Sequence, residues 1–366
     1  MNLFTKEAQQ QKFSLPLHAL RGIAAVIVLL VHLQGRVQET FAEFYLPPIF
    51  NGSAAVNFFF VLSGLVVGAS LAKHELTHST ISLYFYRRFF RIMPLMVVTV
   101  TLGGLYLLFI EPHLNYTLNP KEYGDFTLAK FAVGYVGYSL KANPPIWSIF
   151  VELIGSILIP LMLLSGTKIR NIVLVFIACI ALSLLPIDSK HYWHFYVICF
   201  YVGLTVLLWG RWLADKAAGL PLGIFWGMIA VLASSFYLAR PLTGAGYGDL
   251  WIVYWETFSI APVVAIIYYL PERFSLLSAP VFKFLGDVSY SLYLTHSLLL
   301  IALLNLVTEF MGLTGPAILV YCTSAIICSF AVAVVSYRTI ELGGIRLGEY
   351  LRKEDKPELK TCNTSH

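Results

Sequence analysis

Charge is what this 366-residue chain has least of: Asp, Glu, Lys and Arg together make up 12% of it, about half the roughly 25% of a soluble globular domain. With 58% hydrophobic residues and a mean hydropathy of +0.75, that shortage excludes a water-soluble fold and points to a polytopic membrane protein. Cysteine is also scarce. Cys179, Cys199, Cys322 and Cys328 lie in apolar runs and Cys362 near the C-terminus, with no CxxC or other metal spacing, so neither a disulfide framework nor a structural metal is expected. No G-x-S-x-G elbow is present, and Ser63-Gly64 followed by Gly68 reads as a small-residue helix-packing face rather than a nucleophile. His74/His78 and His191/His194 have helical ligand spacing, but no carboxylate or cysteine stands near either pair, so metal is not expected there. The sequence has no internal repeat, no low-complexity tract and no segment large enough for a soluble domain. Basic residues exceed acidic ones, 25 to 20, yet they are scattered over loops, which excludes a nucleic-acid-binding domain.

What is there is a series of apolar runs of membrane-spanning length, at 17–35, 54–72, 93–110, 146–165, 171–187, 193–209, 221–239, 250–270, 285–306 and 315–336. The first has no small-residue cleavage site behind it and reads as a retained helix rather than a signal peptide. The expected fold is all-α, a bundle of about ten transmembrane helices over 1–340 with a short tail, 341–366. Lys73, Arg87, Arg88, Arg91, Lys168, Arg170, Arg211, Lys216, Arg273 and Lys283 fall in alternate loops, and the tail is basic too. The opposite loops hold Arg36, Lys121, Lys130, Lys141, Lys190 and Arg240. By the positive-inside rule both termini are cytoplasmic. The stretch 126–141 is too short and interrupted for a span, and an eleventh span would spoil the charge pattern; it reads as an outer-side or re-entrant helix.

Against this background the ionisable residues inside the runs stand out, because such groups are costly at membrane depth unless they face a partner or a water-filled cavity. Arg21 and His32 sit in the first run. Eleven residues at about 100° each bring them within about 20° of one another, roughly 16 Å apart along one helix. A neutral imidazole is suited to take a proton from a hydroxyl near neutral pH. Arg88 and Arg91 are i, i+3 neighbours in a basic, aromatic segment beside the cytoplasmic face; this is either a topology anchor or a phosphate-binding face. Glu152 lies more than a turn inside the fourth span. It either pairs with an arginine or histidine elsewhere in the bundle or orients His32 as a base, the second being the preferred reading. Tyr290, Tyr293 and His296, spaced by three, form a polar stripe on the ninth span.

Taken in order, Leu20-Arg21-Gly22 with His32, Phe59-Phe60-Val61-Leu62-Ser63-Gly64, Arg87-Arg88-Phe89-Phe90-Arg91-Ile92-Met93-Pro94, Trp147-Ser148 leading to Glu152, Gly286 through His296, and Tyr337-Arg338-Thr339-Ile340-Glu341 resemble the integral-membrane acyltransferase family 3. The resemblance covers the whole chain. It departs at His18 or Ala19, at Asn57 and at Leu153, where the family often has acidic residues, and at Leu342-Gly343, where a proline is common. The chain resembles the stand-alone type, without a C-terminal hydrolase-like domain.

The resemblance implies transfer of an acyl group, most often acetyl, from acyl-coenzyme A to a hydroxyl of a surface carbohydrate or glycolipid, in a bacterial cytoplasmic (inner) membrane. His32 would be the base, Arg21 would orient donor or histidine, and Glu152 would assist. Arg87, Arg88 and Arg91 would face the phosphates of coenzyme A. Trp147, Ser148, Tyr290, Tyr293 and His296 would receive the acceptor. The competing class is a transporter or flippase using Arg21, His32 and Glu152 as a relay; it predicts inverted repeats and discontinuous spans, which the sequence does not display.

Overall fold

A chain in lipid must satisfy its backbone amides within itself, so apolar runs of this length become helices. The computed structural model describes residues 14–41, 50–113, 127–187, 191–246 and 248–354. Among them are twelve α-helices and no strand: α1 Leu15–Thr40, α2 Gly52–Ala72, α3 His78–Phe109, α4 Leu128–Gly134, α5 Ile146–Leu164, α6 Ile169–Ser183, α7 Trp193–Ala218, α8 Leu222–Thr243, α9 Leu250–Tyr269, α10 Pro280–Met311, α11 Gly315–Ser336 and α12 Leu342–Glu354. Nine helical runs are long and apolar enough to cross a membrane, while α6, the expected fifth span, has 15 residues. Lys121, Lys190, Cys362 and the tail beyond 354 lie outside the described residues.

Two elements differ from the sequence reading, and one short helix agrees with it. The basic, aromatic segment expected in a loop is the first half of α3, which starts behind Thr77, whose hydroxyl accepts from Thr80 N at 3.2 Å, and runs through Pro94 unbroken. The stretch expected as a short helix rather than a span supplies, within 127–141, the seven-residue α4. It packs on α3, with Phe131 against Gly104 and Tyr135 Oη 2.9 Å from Thr101 Oγ1. The boundary expected at 340 falls inside one helical run, because α11 passes through a π-helical turn, Tyr337–Glu341, straight into α12. That last helix lies along α3, where Tyr86 Oη donates to Gly348 O at 2.8 Å.

Two glycine contacts set the closest helix approaches. A Cβ on Gly22 of α1 would stand 2.3 Å from the Leu285 carbonyl carbon of α10. On the α2–α7 crossing a Cβ at Gly64 would stand 2.0 Å from Phe200 O, and one at Gly203 1.9 Å from Val61 O. Such backbone-to-backbone contact is how helices gain packing energy where lipid removes the hydrophobic drive. Phe60, Tyr196 and Phe200 are buried beside this crossing, ring on ring at 5.1 to 5.3 Å. Along the α1–α10 seam, His18 meets Asp287, Arg21 meets Ser289 and His32 meets His296. Residue numbers rise together, so the two helices run parallel.

Replacing Gly22 by Ala should drive α1 and α10 apart and cost about 1–3 kcal/mol, read as earlier thermal melting in detergent. Gly35, whose Cβ would meet nothing within 4 Å, is the control: Gly35→Ala should melt no earlier than the parent protein.

Candidate active site

The α1–α10 seam carries the ionisable stripe. Arg21 Nε donates to Ser289 Oγ at 2.8 Å, and Nη2 reaches Gly286 O at 3.5 Å. Ser289 in turn donates its own proton to Gly286 O at 2.7 Å, which leaves its oxygen lone pairs for the guanidinium. Arg91, Glu341, Glu152 and Asp287 lie within Coulombic reach of Arg21. At the near end of the seam His18 Nε2 lies 2.9 Å from Asp287 Oδ1. Three turns beyond Arg21, His32 is half-buried, and its Nδ1 lies 2.8 Å from Nε2 of His296. The stripe inferred from the 11-residue spacing is therefore a line of side chains that α10 partners at both ends.

Glu152 stands elsewhere. Its carboxylate pairs with Arg88 and accepts from Ser63 Oγ at 2.7 Å, and Arg88 also donates to Ser156 Oγ. Of the two readings of Glu152, the geometry matches pairing with an arginine of the bundle: the partner of His32 is His296. Arg88 is withdrawn from the proposed phosphate face for the same reason. Arg88 and Arg91 lie about 60° apart on the helix, enough to turn Arg88 inward while Arg87 and Arg91 stay exposed. Ser63 acts as a clasp for this ion pair.

The polar stripe of α10 fans out rather than facing one cavity. A spacing of three falls short of a turn by about 60° at each step, so each residue meets a different helix. Tyr290 Oη donates to Ile92 O of α3 at 2.7 Å. Tyr293 Oη lies 2.6 Å from Ser148 Oγ of α5, and His296 meets His32 of α1. Ser148 and His296 are buried, and both nitrogens of His296 are taken, Nδ1 lying 3.0 Å from Leu292 O. Trp147 packs on Phe60 and Tyr196. The residues expected to receive an acceptor are thus engaged with each other, and they hold α1, α3 and α5 around α10.

The chain matches the family model of the acyltransferase domain of acyltransferase family 3 over residues 16–334, from the first turn of α1 nearly to the end of α11. It belongs to that family. Neither a curated protein nor a solved structure matches it. The matched span takes in the whole α1–α10 seam, and with nine long apolar helical runs the protein is a multi-pass membrane acyltransferase.

One buried network of the acyltransferase went unread in the sequence. Arg240, counted among loop cations, is buried in α8 and pairs with Glu256 of α9, Nε to Oε1 at 3.0 Å and Nη2 to Oε2 at 3.4 Å. Asn51 Nδ2 donates to the same carboxylate at 3.3 Å, and Asn57 Nδ2 donates to its other oxygen. An amide at position 57 can donate to Glu256 where an ionised aspartate would repel it, which gives one physical reason for the departure there. The available signal was an arginine at the end of one span and a carboxylate 16 residues later inside the next. Glu341, whose Oε2 accepts from Ser291 Oγ at 2.8 Å, is similarly buried on the π turn.

Breaking the Arg88–Glu152 pair should destabilise more than removing it whole. Arg88→Leu and Glu152→Leu should each cost roughly 3 kcal/mol, since each strands a charge, and the double variant less than their sum. Thermal melting of the four proteins in detergent measures it; additive losses would mean that the pair is not coupled.

Proposed function

We propose that this membrane acyltransferase moves an acyl group, acetyl foremost, from cytoplasmic acyl-coenzyme A to a hydroxyl of a cell-surface carbohydrate or its lipid-linked precursor. The observation that carries the reading is His32: its Nε2 makes no hydrogen bond to any described residue, on the helix face where Arg21 sits three turns away. A histidine held by one nitrogen and open at the other is the arrangement a general base needs.

The chemistry divides along the seam. The thioester carbonyl of the donor stands near His32, and the acceptor hydroxyl loses its proton to the imidazole as its oxygen attacks. Coenzyme A leaves as the thiol after taking that proton back. Arg21, half-buried and hydrogen-bonded on one edge to Ser289, has donor capacity left for the donor's anionic or carbonyl oxygens. Arg87 and Arg91 support a phosphate site, being exposed guanidinia near the Arg21 end. The excess of Lys and Arg in alternate loops supports a cytoplasmic location for that end, the side from which a polar cofactor must deliver. The inner membrane of a bacterium is the expected setting.

The test is acetyl-coenzyme A binding and thioester turnover by purified protein in detergent. His32→Ala should lower turnover by about 100-fold or more while leaving donor binding and the fold intact. Arg21→Ala should weaken donor binding about ten-fold. Retained turnover in His32→Ala, or no binding of acetyl, succinyl or longer acyl donors by the parent protein, would overturn the proposal.

A further inference from the structure

The histidine pair defines its own proton positions. Nδ1 of His296 lies 3.0 Å from the carbonyl oxygen of Leu292. A carbonyl only accepts, so that nitrogen carries a proton. A neutral imidazole has one N–H, which leaves Nε2 of His296 as a bare acceptor. Nδ1 of His32, 2.8 Å away, must then be the donor. The reverse direction would require two protons on His296, a cation with none of its surface exposed, which is expensive at membrane depth. The rings lie 9° from coplanar with centroids 5.1 Å apart. That separation is the N···N contact plus two ring radii, so the rings meet end-on, in the line of a hydrogen bond, and not face to face.

His296 is itself pinned. Leu292 is one turn back on the same helix, and the ring of Tyr293 packs edge-on at 5.9 Å. Tyr293 is held by Ser148, and Asn143 Nδ2 donates to Leu294 O at 2.9 Å. The acceptor nitrogen offered to His32 is therefore set by the frame of α10 and by its contacts with α5 and the segment before it.

We propose that His296 is the positioning residue that fixes His32 in its Nδ1-protonated tautomer, so that a bare Nε2 faces the hydroxyl to be acylated. The inference rests on the reading of His32 as the base. In the transfer step the hydroxyl proton goes to Nε2 of His32 while the hydroxyl oxygen forms the new C–O bond to the thioester carbonyl carbon. The C–S bond then breaks, and the sulfur leaves with the proton from Nε2. Between these events His32 is an imidazolium, and its Nδ1–H remains bonded to His296. The place usually given to a carboxylate behind a catalytic histidine is taken here by a second, neutral imidazole.

The experiment joins a spectrum to kinetics. The full chain, labelled with 15N-histidine and purified in detergent, is examined by NMR, with His32→Ala assigning the resonances; acetyl-coenzyme A hydrolysis is followed on the same preparations. The parent protein should show His32 protonated at Nδ1 and bare at Nε2. His296→Leu should give a mixture of His32 tautomers, with kcat lower by roughly ten-fold or more and KM for acetyl-coenzyme A unchanged. His296→Gln, whose amide oxygen reaches the place of Nε2, should restore both the tautomer and most of kcat. A parent His32 protonated at Nε2, a folded His296→Leu with unaltered kcat, or a Gln variant no better than Leu would each overturn the proposal. Should His296→Leu fail to fold, the parent spectrum and the Gln variant still decide. Absence of any donor binding or turnover would defeat the acyl-transfer reading separately, and the spectrum would still settle the tautomer.

Discussion

Burying an ionisable side chain among apolar helices costs several kcal/mol unless another group offsets it, and that constraint organises this protein. Each buried or half-buried ionisable group named here draws its partner from a different helix: Arg21 from α10, His32 from α10, Arg88 from α5, Arg240 from α9. Lipid-facing packing alone is tolerant of small slides along the helix axis. A polar pair is not, since a one-residue shift of about 1.5 Å with a 100° rotation would leave both members unpaired. The polar links thus set register, and the glycine contacts at Gly22 and at Gly64/Gly203 allow the backbones to come close enough for the links to close.

A division of labour follows between the two kinds of buried charge. Arg88–Glu152 and Arg240–Glu256 are closed pairs, each carboxylate supplied with further donors from serine or asparagine. In each, the carboxylate charge is met directly by a guanidinium, and their work is to hold α3 to α5 and α8 to α9. Arg21 and His32 are open pairs. Arg21 is anchored by neutral oxygens rather than by a carboxylate, so its charge is not neutralised by a direct partner; His32 is held at one nitrogen only. Two side chains with unused capacity, one a cation and one a base, on one face of one helix, are what an acyl-transfer site needs on its protein side.

How far the sequence carried this reading depended on the range of the interaction. The helices were legible because apolar length is a local property, and ten expected runs correspond to ten helices, α6 being shorter than expected. The Arg21–His32 stripe was legible because helical periodicity is local too. The α3 segment around Arg88 was read as loop because basic and aromatic residues mark membrane edges whether or not the helix continues through them. Partner choice was not legible. Glu152 and Arg88 lie 64 residues apart, His32 and His296 264 apart, and spacing along a chain carries no information about which helices of a bundle are neighbours. Glu256 escaped notice for a related reason: a lone carboxylate in an apolar run gains meaning only when its arginine, on the preceding span, is seen to turn inward.

The choice of a second histidine behind His32, rather than the carboxylate that the sequence suggested, has an energetic logic at membrane depth. A carboxylate would place a full negative charge in the bundle throughout the resting state and would itself need donors, as Glu152 and Glu256 do. A neutral imidazole fixes the same ring orientation with no standing charge. Under the proposed role of His32 the cost is transferred to the transition state, where the cation forming on His32 would be met by a dipole and not by an anion, so each unit of stabilisation is smaller. A half-buried His32 eases that cost, because its open side can be solvated by the substrate's own hydroxyls, and an acceptor rich in hydroxyl groups would do this better than an isolated alcohol. The proposed polyhydroxylated acceptor is thus one that the electrostatics of such a base would favour.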